Sequence, residues 1–364
     1  MLLARATLAL IALASPNPSV FSFASTSPWP MRGRTAQHDA HAPSAVATTS
    51  GVLRWSWHLG YCFSSSPVIG SDGSVYIGAS SACYPPSAQR HRRLARSSAA
   101  PSPTFQPFPG NGNLCALNGS TGELLWSVLF PTPYMMGGSA AVVAGAGGGG
   151  LDMVYAPSGS SDEVFAFRSD GAITHVFPLG QHAFSSPVVS AAGGLYVGVR
   201  DNCVWAYNAT SGALLWHFQT QDTVDASPAL SPDESLVYVG SNDYSVYAFD
   251  ALSGAVVWTF ATGGFVMSSP AVDAATGTVY VGSCDGSLYA LNGTTGARLW
   301  AFTTGWNVVS SPALGAGSTV VFGSEDHMLR ALDRATGALV WAFDCGNAIE
   351  SSPAIDSAGN VCVT

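Results

Sequence analysis

The sequence predicts an all-β fold, namely a β-propeller of four-stranded blades with six complete blades and a partial seventh, from a ring of seven or eight. Three observations predict this fold. Tryptophan recurs at intervals of 41 or 42 residues, and a proline stands twelve residues after most of these positions. Each repeat holds four short β-rich runs bounded by turn residues. Only 10% of the 364 residues are charged, whereas helical proteins expose many Glu, Lys and Arg side chains.

The first 50 residues precede the repeats. Residues 1–24 are interpreted as a signal peptide, because Arg5 precedes a short apolar run that ends before Pro16. An organelle transit peptide is the alternative, since residues 1–50 contain three arginines and only one acidic residue. Residues 25–50 form a lead-in segment and residues 51–364 form the propeller. No apolar stretch is long enough to span a bilayer, so we expect a secretory or extracellular protein without a transmembrane segment, or one in an organelle lumen.

Two columns of residues define the repeat. The tryptophan column contains Trp55, Trp126, Trp216, Trp258, Trp300 and Trp341. His175 occupies the missing place in that column, 41 residues before Trp216. The proline column contains Pro67, Pro187, Pro228, Pro270, Pro312 and Pro353. Only Gly138, twelve residues after Trp126, breaks the spacing, so the chain consists of repeats.

One repeat unit, Ser268 to Gly305, illustrates the four predicted strands. Its β-rich runs are Ser268–Val272, Thr278–Gly282, Leu288–Leu291 and Leu299–Phe302. Alternate residues of a strand point to opposite faces, so Leu288 and Ala290 share one face while Tyr289 lies on the other. Stacked blades bury both faces of each sheet, which explains apolar residues on both faces and the low charge.

The repeat units resemble those of a known family. The unit from Ser310 to Phe343 reads SSPALGAGSTVVFGSEDHMLRALDRATGALVWAF, which is similar to the repeats of the pyrroloquinoline-quinone (PQQ) family. The resemblance covers about residues 51–364, and the segment from Ser27 to Pro43 resembles the lead-in of such proteins. It implies a quinoprotein-like β-propeller similar to the non-catalytic scaffold propellers of that family. Because the family also contains dehydrogenases, the resemblance is specific for the fold rather than for one activity.

The ends of the repeat array and two insertions depart from the pattern. An outer-type strand from Gly51 to Trp57 is expected to join the last blade, whose own pattern stops after two strands, so we interpret the chain as a fragment or a truncated gene product. An insertion at about residues 80–113 contains four clustered arginines and is expected to be a disordered basic loop, or else a docking site for a protease or partner. The segment Ala144–Asp152 is a glycine-rich hairpin extension, expected to be flexible.

Two polar columns fall in predicted turns. The aspartate column contains Asp201, Asp243, Asp285 and Asp326. Each of these residues belongs to a different blade, so an Asx-turn cap explains them better than a metal site does. The asparagine candidates for glycosylation are Asn118, Asn208 and Asn292, each of which begins an N-x-Ser/Thr sequon.

The column nine residues after each tryptophan position varies most. It contains Ser64, Met135, Phe184, Asp225, Met267, Val309 and Glu350. These residues enter the innermost strands, so the binding candidates at the channel mouth are Met135, Phe184, Asp225, Met267 and Glu350. Asp225 and Glu350 are interpreted as a cation site or an acid–base pair. The alternative is that they are solvated residues lining the channel.

No catalytic residue is assigned. For a dehydrogenase, the resemblance to the family implies a disulfide of adjacent cysteines, a Ca²⁺ held by Glu, Asn and Asp, and an Asp that acts as the base. This sequence has no Cys-Cys pair and no recognisable trio of calcium ligands. PQQ and calcium are therefore expected only under an enzymatic alternative. The seven cysteines fit no zinc motif. Cys115 and Cys203 are interpreted as small packed residues of third strands, and a bridge between Cys62 and Cys83 is left open.

These observations favour a monomeric, non-catalytic scaffold that binds a protein or glycan partner through its loop faces. The alternative is a fragment of a PQQ-dependent oxidoreductase, similar to an alcohol or sugar dehydrogenase, and a small-ligand sensor is a third reading. The formal charge is −9, and residues 111–364 contain 5 arginines and 20 acids. Nucleic acid is therefore not an expected partner, whereas a cation or a basic protein is.

Overall fold

The structure is a computed structural model that describes residues 65–79, 113–130, 138–158, 161–315, 317–355 and 359–363. Within these ranges the chain forms 26 strands and no helix. The strands build six four-stranded antiparallel sheets and one two-stranded sheet. The predicted propeller of six complete blades and a partial seventh is therefore confirmed. The predicted signal peptide, the lead-in, the Gly51–Trp57 strand and the arginines of the basic loop lie outside the described residues.

Each blade is a meander whose four strands follow one another in the chain. Blade 1 contains β1 Val68–Ile69, β2 Ser74–Ala79, β3 Asn113–Asn118 and β4 Leu124–Leu129. Blade 2 contains β5 Ala141–Val143, β6 Met153–Pro157, β7 Glu163–Arg168 and β8 Ile173–Pro178. Blade 3 contains β9 Val188–Val189, β10 Gly194–Val199, β11 Cys203–Asn208 and β12 Leu214–Gln219. Blade 4 contains β13 Ala229–Leu230, β14 Leu236–Gly240, β15 Ser245–Asp250 and β16 Val256–Ala261.

The remaining blades continue the same pattern. Blade 5 contains β17 Ala271–Val272, β18 Thr278–Ser283, β19 Ser287–Asn292 and β20 Arg298–Thr303. Blade 6 contains β21 Ala313–Leu314, β22 Thr319–Gly323, β23 Met328–Asp333 and β24 Leu339–Asp344. The described part of blade 7 contains β25 Ala354–Ile355 and β26 Val361–Cys362.

The innermost strand of blade 5 is shorter than the sequence predicted. It begins at Ala271 rather than at Ser268. The two serines before it bond to the neighbouring blade: the Ser268 hydroxyl donates to the Ser310 carbonyl oxygen at 3.1 Å, and the Ser269 N–H donates to the Ser311 hydroxyl oxygen at 2.9 Å. The Ser268 hydroxyl oxygen also accepts a hydrogen bond from Gly282 N–H of its own blade at 3.1 Å.

A chain of serine hydrogen bonds joins the inner ends of the blades. In each step the backbone N–H of one serine donates to the hydroxyl oxygen of the equivalent serine in the next blade, at 2.7 to 3.2 Å. The serines are Ser66, Ser139, Ser186, Ser227, Ser269, Ser311 and Ser352. Because Ser139 is equivalent to Ser66, Ala140 takes the place of the column proline. The link from blade 1 to blade 2 is therefore two residues longer than the other links. This explains why Gly138, rather than a proline, stands twelve residues after Trp126.

The tryptophan column joins the outer parts of neighbouring blades. Trp258 of β16 donates its indole N–H to the Gly293 carbonyl oxygen of blade 5 at 2.6 Å. Gly296 has φ +71°, and a Cβ on it would lie 2.7 Å from the Trp258 ring, so only glycine fits this turn. The same donor–acceptor pair joins Trp126 to Ser169, Trp216 to Ala251 and Trp300 to Arg334.

His175 stands in the tryptophan place of blade 2, as the repeat predicted. It pairs with Ala166 across the sheet as Trp216 pairs with Ala206. Its Nδ1 atom is buried and has no hydrogen-bond partner. The joint between blades 2 and 3 therefore lacks the hydrogen bond that the tryptophans make.

The outer strand of blade 6 is the most exposed strand of the described sheets. All six residues of β24 are exposed, and Trp341 is 37% exposed whereas Trp258 is 8% exposed. The described strands of blade 7, β25 and β26, leave this surface uncovered. Among the described residues, no helix is long and apolar enough to cross a membrane.

Candidate functional site

One end of the propeller carries the residues that vary between repeats. In a four-stranded meander, the turn between the second and third strands lies at the same end as the link to the next blade. The two segments are joined by backbone hydrogen bonds, for example from Asn242 N–H to the Thr223 carbonyl oxygen at 2.9 Å and from Cys284 N–H to that of Phe265 at 2.8 Å. We call this end the channel face and the opposite end, with the first and third turns of each blade, the hairpin face.

The aspartate column holds the channel face together. Asp243 Oδ1 accepts a hydrogen bond from Ser245 N–H at 3.0 Å, which is the predicted Asx-turn cap. Its Oδ2 accepts one from Gln221 N–H in the link from the preceding blade, also at 3.0 Å. Asp285 repeats both contacts, with Ser287 and Gly263 as donors. The column is therefore structural, because it fixes the links that carry the variable side chains.

Asp326 is the most strongly stabilised carboxylate of this column. Arg330 donates two hydrogen bonds to it, at 2.8 and 2.7 Å, and Gly305 N–H donates a third at 2.8 Å. Burial alone would raise the pKa of Asp326, but the hydrogen bonds from Arg330, Gly305 and Met328 outweigh it and lower the pKa to about 2.

Asp225, predicted as a binding residue, is held in an ion pair. The Arg200 guanidinium donates to both of its carboxylate oxygens, at 2.8 and 3.2 Å, and Asn242 donates to Oδ2 at 3.2 Å. Arg200 also lies over the Phe184 ring, 4.0 Å from the centroid, so Phe184 and Asp225 share one cluster. The charge of Asp225 is thus already balanced within the protein.

Among the described residues, the channel-mouth candidates Glu350 and Met267 do not join this cluster. Glu350 is exposed in the link to blade 7, and the polar contacts of Asp225 do not include it. Met267 is exposed in the link to blade 5. Met135 lies outside the described residues, and the register at Ser139 puts the equivalent position two residues later. The acid–base pair proposed for Asp225 and Glu350 has no support in these contacts and stays a prediction.

An exposed apolar patch lies on the channel face of blades 4 to 6. Tyr244 and Phe265 make an edge-to-face contact with ring centroids 5.3 Å apart. Met267 follows Phe265 in the same link, and Trp306, which is 63% exposed, occupies the next link around the ring. We call these four residues the aromatic patch. Exposed apolar side chains that share one face of a protein in this way mark binding surfaces, and within this set Tyr244 and Phe265 are in direct contact.

Tyr244 and Trp306 were not predicted from the sequence, because both lie outside the variable column. Tyr244 lies in a turn within blade 4, and Trp306 lies three residues before Val309 of that column. The signal for Trp306 was available, because the equivalent residue in the preceding link is Gly264. A tryptophan that replaces a small turn residue and lies outside the structural column is a candidate for binding.

Two acidic residues lie in the segments that carry the aromatic patch or bond to them. Glu325 accepts a hydrogen bond from Asn307, the neighbour of Trp306, at 2.9 Å. Asp285 caps the turn between β18 and β19 and accepts a hydrogen bond from Gly263 N–H in the link that carries Phe265. Burial first, and then the charges of Glu325 and Asp285, raise the pKa of the nearby Cys284 thiol. The thiol is therefore kept protonated and is a poor nucleophile.

The glycosylation candidates lie in exposed turns of the hairpin face. Asn118, Asn208 and Asn292 each end a third strand. The side-chain oxygen of each accepts hydrogen bonds from the backbone N–H groups of the second and third residues after it, at 2.8 to 3.0 Å. These turns explain the asparagines structurally, as the sequence indicated.

The cysteines differ from the sequence interpretation at one position. Cys115 is disulfide-bonded, so it is not the free packed thiol that its place in a third strand indicated. Cys203 is free and buried, and Cys284, Cys345 and Cys362 are also free. Cys62 and Cys83, for which a bridge was left open, lie outside the described residues. Within the described ranges, no group of three or more His, Cys, Asp or Glu side chains converges as metal ligands.

Comparisons with known proteins agree with the fold. The family model for the outer membrane protein assembly factor BamB matches residues 110–301 and 200–364. The structure of BamB from Moraxella catarrhalis is similar, with a TM-score of 0.63, 15% identity, and coverage of 87% of this chain and 91% of that one. A europium-containing methanol dehydrogenase is similar at a TM-score of 0.61 and 13% identity, with 92% and 89% covered. No curated protein sequence matches the chain.

Proposed function

Because the chain belongs to the PQQ-repeat family of β-propellers, the family that the BamB model describes, we propose that it is a non-catalytic scaffold that binds a protein partner. The observation that carries the proposal is the aromatic patch on the channel face. Aromatic side chains and Met are enriched at the buried centres of protein interfaces. The structural column residues around the patch hold it on a rigid frame.

The charge of this face defines the partner. Arg200 and Arg330 are each bound by an Asp, so these two guanidinium groups do not neutralise the acids near the aromatic patch. Residues 111–364 carry 15 more acids than arginines. The partner is therefore a protein segment that combines apolar or aromatic side chains with Lys or Arg, whose cations contact both the carboxylates and the aromatic rings.

The enzymatic alternative is less well supported by the same residues. PQQ carries three carboxylates, and the described channel face presents Glu325, Glu350 and paired arginines to them. These residues do not fit the quinone, because the glutamates would repel its carboxylates and the arginines are already paired with Asp225 and Asp326. The alternative, a fragment similar to an alcohol or sugar dehydrogenase, rests on the fold likeness to the methanol dehydrogenase.

Binding of labelled peptides tests the proposal. We expect the full chain to bind peptides that contain Trp or Phe flanked by Arg, with an affinity that falls as salt rises. Trp306→Ala and Phe265→Ala should each weaken binding at least tenfold. Leu252→Ala is the matched control, because Leu252 is 81% exposed on the hairpin face. Binding that is unchanged in both patch variants, or that is found only with glycans, contradicts the proposal.

Titration with PQQ and Ca²⁺ separates the two candidates. Saturable micromolar quenching of tryptophan fluorescence by PQQ would support the enzyme and contradict the scaffold.

We further propose that the protein enters the secretory pathway and carries glycans at Asn118, Asn208 and Asn292. A loss of mass after treatment of the secreted protein with peptide N-glycosidase tests that placement.

A further inference from the structure

Two side chains of the aromatic patch carry hydrogen-bond donors that no described group accepts. Tyr244 is 46% exposed and Trp306 is 63% exposed. Within the described residues, both make their polar contacts through backbone carbonyl oxygens, so the Tyr244 hydroxyl and the Trp306 indole N–H stay without a partner. By contrast, the hydroxyl of Tyr247 in the same blade as Tyr244 donates to Asp243 at 2.7 Å. The patch therefore presents two donors to a partner that supplies acceptors.

Tyr244 also adopts a backbone conformation that a bulky side chain rarely takes. Its φ is +71°, in the left-handed region. The same turn position holds Asn202 in blade 3, Gly286 in blade 5 and His327 in blade 6, and Gly, Asn and His tolerate this region better than tyrosine does. Because the Tyr244 side chain is half exposed, burial does not offset the strain. Strained positions of this kind cluster at functional sites, so the strain indicates that the Tyr244 side chain serves binding.

The two donors lie on opposite sides of a strip of backbone. Gly286 lies against Trp306, since a Cβ on Gly286 would lie 3.3 Å from the Trp306 carbonyl oxygen. In blade 4 the equivalent pair is Tyr244 and Gly264, so the aromatic residue and the glycine are exchanged. Gly264 in turn lies directly on the next turn, because a Cβ on it would lie 2.6 Å from the Asp285 backbone nitrogen. The backbone of Gly264, Asp285 and Gly286 therefore runs between Tyr244 and Trp306.

A proline-rich segment in the polyproline II conformation has the complementary chemistry. Its backbone makes no internal hydrogen bonds, so its carbonyl oxygens are free to accept from tyrosine and tryptophan. Its proline rings pack against aromatic side chains, and aromatic-lined surfaces bind such segments in other proteins. The channel face is built of turns and links, so it does not offer the strand edge that a peptide needs in order to extend a sheet.

The charge beside Trp306 selects the residues that flank the prolines. Asn307, the neighbour of Trp306, donates to Glu325 Oε2 at 2.9 Å. Arg330 is bound by Asp326, so it does not neutralise Glu325. The carboxylate of Glu325 therefore favours an Arg or Lys beside the prolines of the partner.

We propose that the aromatic patch binds a proline-rich segment of a partner protein. The Tyr244 hydroxyl and the Trp306 indole N–H donate to backbone carbonyl oxygens of the segment, and Glu325 pairs with an Arg or Lys that flanks the prolines. The inference rests on the proposed scaffold function and specifies the chemistry of the partner. It also gives the strained Tyr244 a role, because the turn holds its hydroxyl on the open side of the channel face.

Fluorescence anisotropy with two labelled peptides tests the proposal on the full chain. One peptide has a run of prolines between arginines, and the control peptide has alanine in place of every proline. We expect the proline peptide to bind about tenfold more tightly, because its carbonyl oxygens are already presented. Equal affinities overturn the proposal, and the scaffold function still stands if the Trp or Phe peptides flanked by Arg bind.

Variants that keep the ring and remove the donor locate the contacts. Tyr244→Phe and Trp306→Phe should each weaken binding of the proline peptide about fivefold and leave Tm unchanged, since each removes one hydrogen bond to the partner. Trp341→Phe is the matched control, because this exposed indole lies on the outer strand β24 and not on the channel face. Unchanged affinity in both donor variants overturns the proposal.

Two further variants test the charge and the strain. Glu325→Gln keeps an oxygen that accepts from Asn307, and it should reduce the dependence of binding on salt. Tyr244→Asn should raise Tm, because asparagine fills the same turn position in blade 3, and should weaken binding about tenfold. A fall in Tm would show that Tyr244 stabilises the fold and would overturn its assignment to binding.

Discussion

Trp258 and Gly293 lie in neighbouring blades, and the indole N–H of Trp258 donates to the Gly293 carbonyl oxygen at 2.6 Å. The contact satisfies the one polar atom of a large side chain that is otherwise buried between two sheets. The same contact recurs at three further joints. The stability of the ring therefore depends on a joint that each blade makes only with its neighbour, as in other repeat proteins.

Truncation of Trp258 should be far more costly than truncation of Trp341. We expect Trp258→Ala to lower the free energy of unfolding by about 3 to 5 kcal/mol, because it leaves a cavity and an unpaired carbonyl oxygen. Trp341→Ala should cost about 1 kcal/mol or less, since its ring is uncovered by the described part of blade 7. Urea unfolding of the two variants measures the difference, and equal losses would show that the joints do not determine stability.

Replacement of His175 by tryptophan should stabilise the joint between blades 2 and 3. His175→Trp restores the repeat residue beside Gly212, whose φ is +74° as in the other joints. We expect a gain of about 1 kcal/mol, in the range of consensus substitutions. Thermal unfolding measures it, and Trp258→His is the reverse control, which should lower Tm. A lower Tm in His175→Trp would mean that blade 2 has adapted to histidine.

Asp326 should make stability depend on pH. Its pKa in the folded protein is about 2, below the ordinary 3.8, so its contribution is complete above about pH 4 and is lost as the pH falls through 2. Asp326→Asn should therefore cost about 1 to 2 kcal/mol at pH 7, after allowance for solvent screening. The difference from the wild type should shrink between pH 4 and pH 2 in urea titrations. A difference that stays constant over this range contradicts the assignment.

The disulfide at Cys115 should be detectable in the secreted protein. Non-reducing peptide mapping should find Cys115 linked, while Cys203 and Cys284 are recovered as free thiols after denaturation. Disulfides persist in oxidising compartments, so this result would also support the proposed secretory location. Quantitative labelling of Cys115 as a free thiol would contradict both.

Most of the fold was predictable because each blade repeats one local pattern. Seven of the eight strand ends that the pattern defined in blade 5 were predicted to within one residue, and only the start of the first strand differed, because its serines bond to the next blade. The break at Gly138 was not interpretable from spacing alone. Only the hydrogen bond of Ser139 to Ser186 reveals the longer link.

The candidate site was less predictable, because it depends on contacts between blades. The channel-mouth column identified Phe184 and Asp225, but the sequence gives no sign that Arg200 neutralises Asp225. Trp306 was overlooked because it lies three residues before the variable column, although its difference from Gly264 in the preceding link was visible in the sequence. Side chains from different repeats meet only once the ring is formed, so sequence spacing cannot show which charges remain unpaired.

Site-specific photo-crosslinking from the channel face tests the proposed scaffold function most directly. A photoreactive phenylalanine at position 306, introduced into the full chain in its native host, should capture a discrete protein through a segment that contains aromatic and basic residues. The same group at position 252 on the hairpin face should not capture it. Capture that is equal at the two positions, or no capture at position 306 together with saturable PQQ binding, would contradict the account.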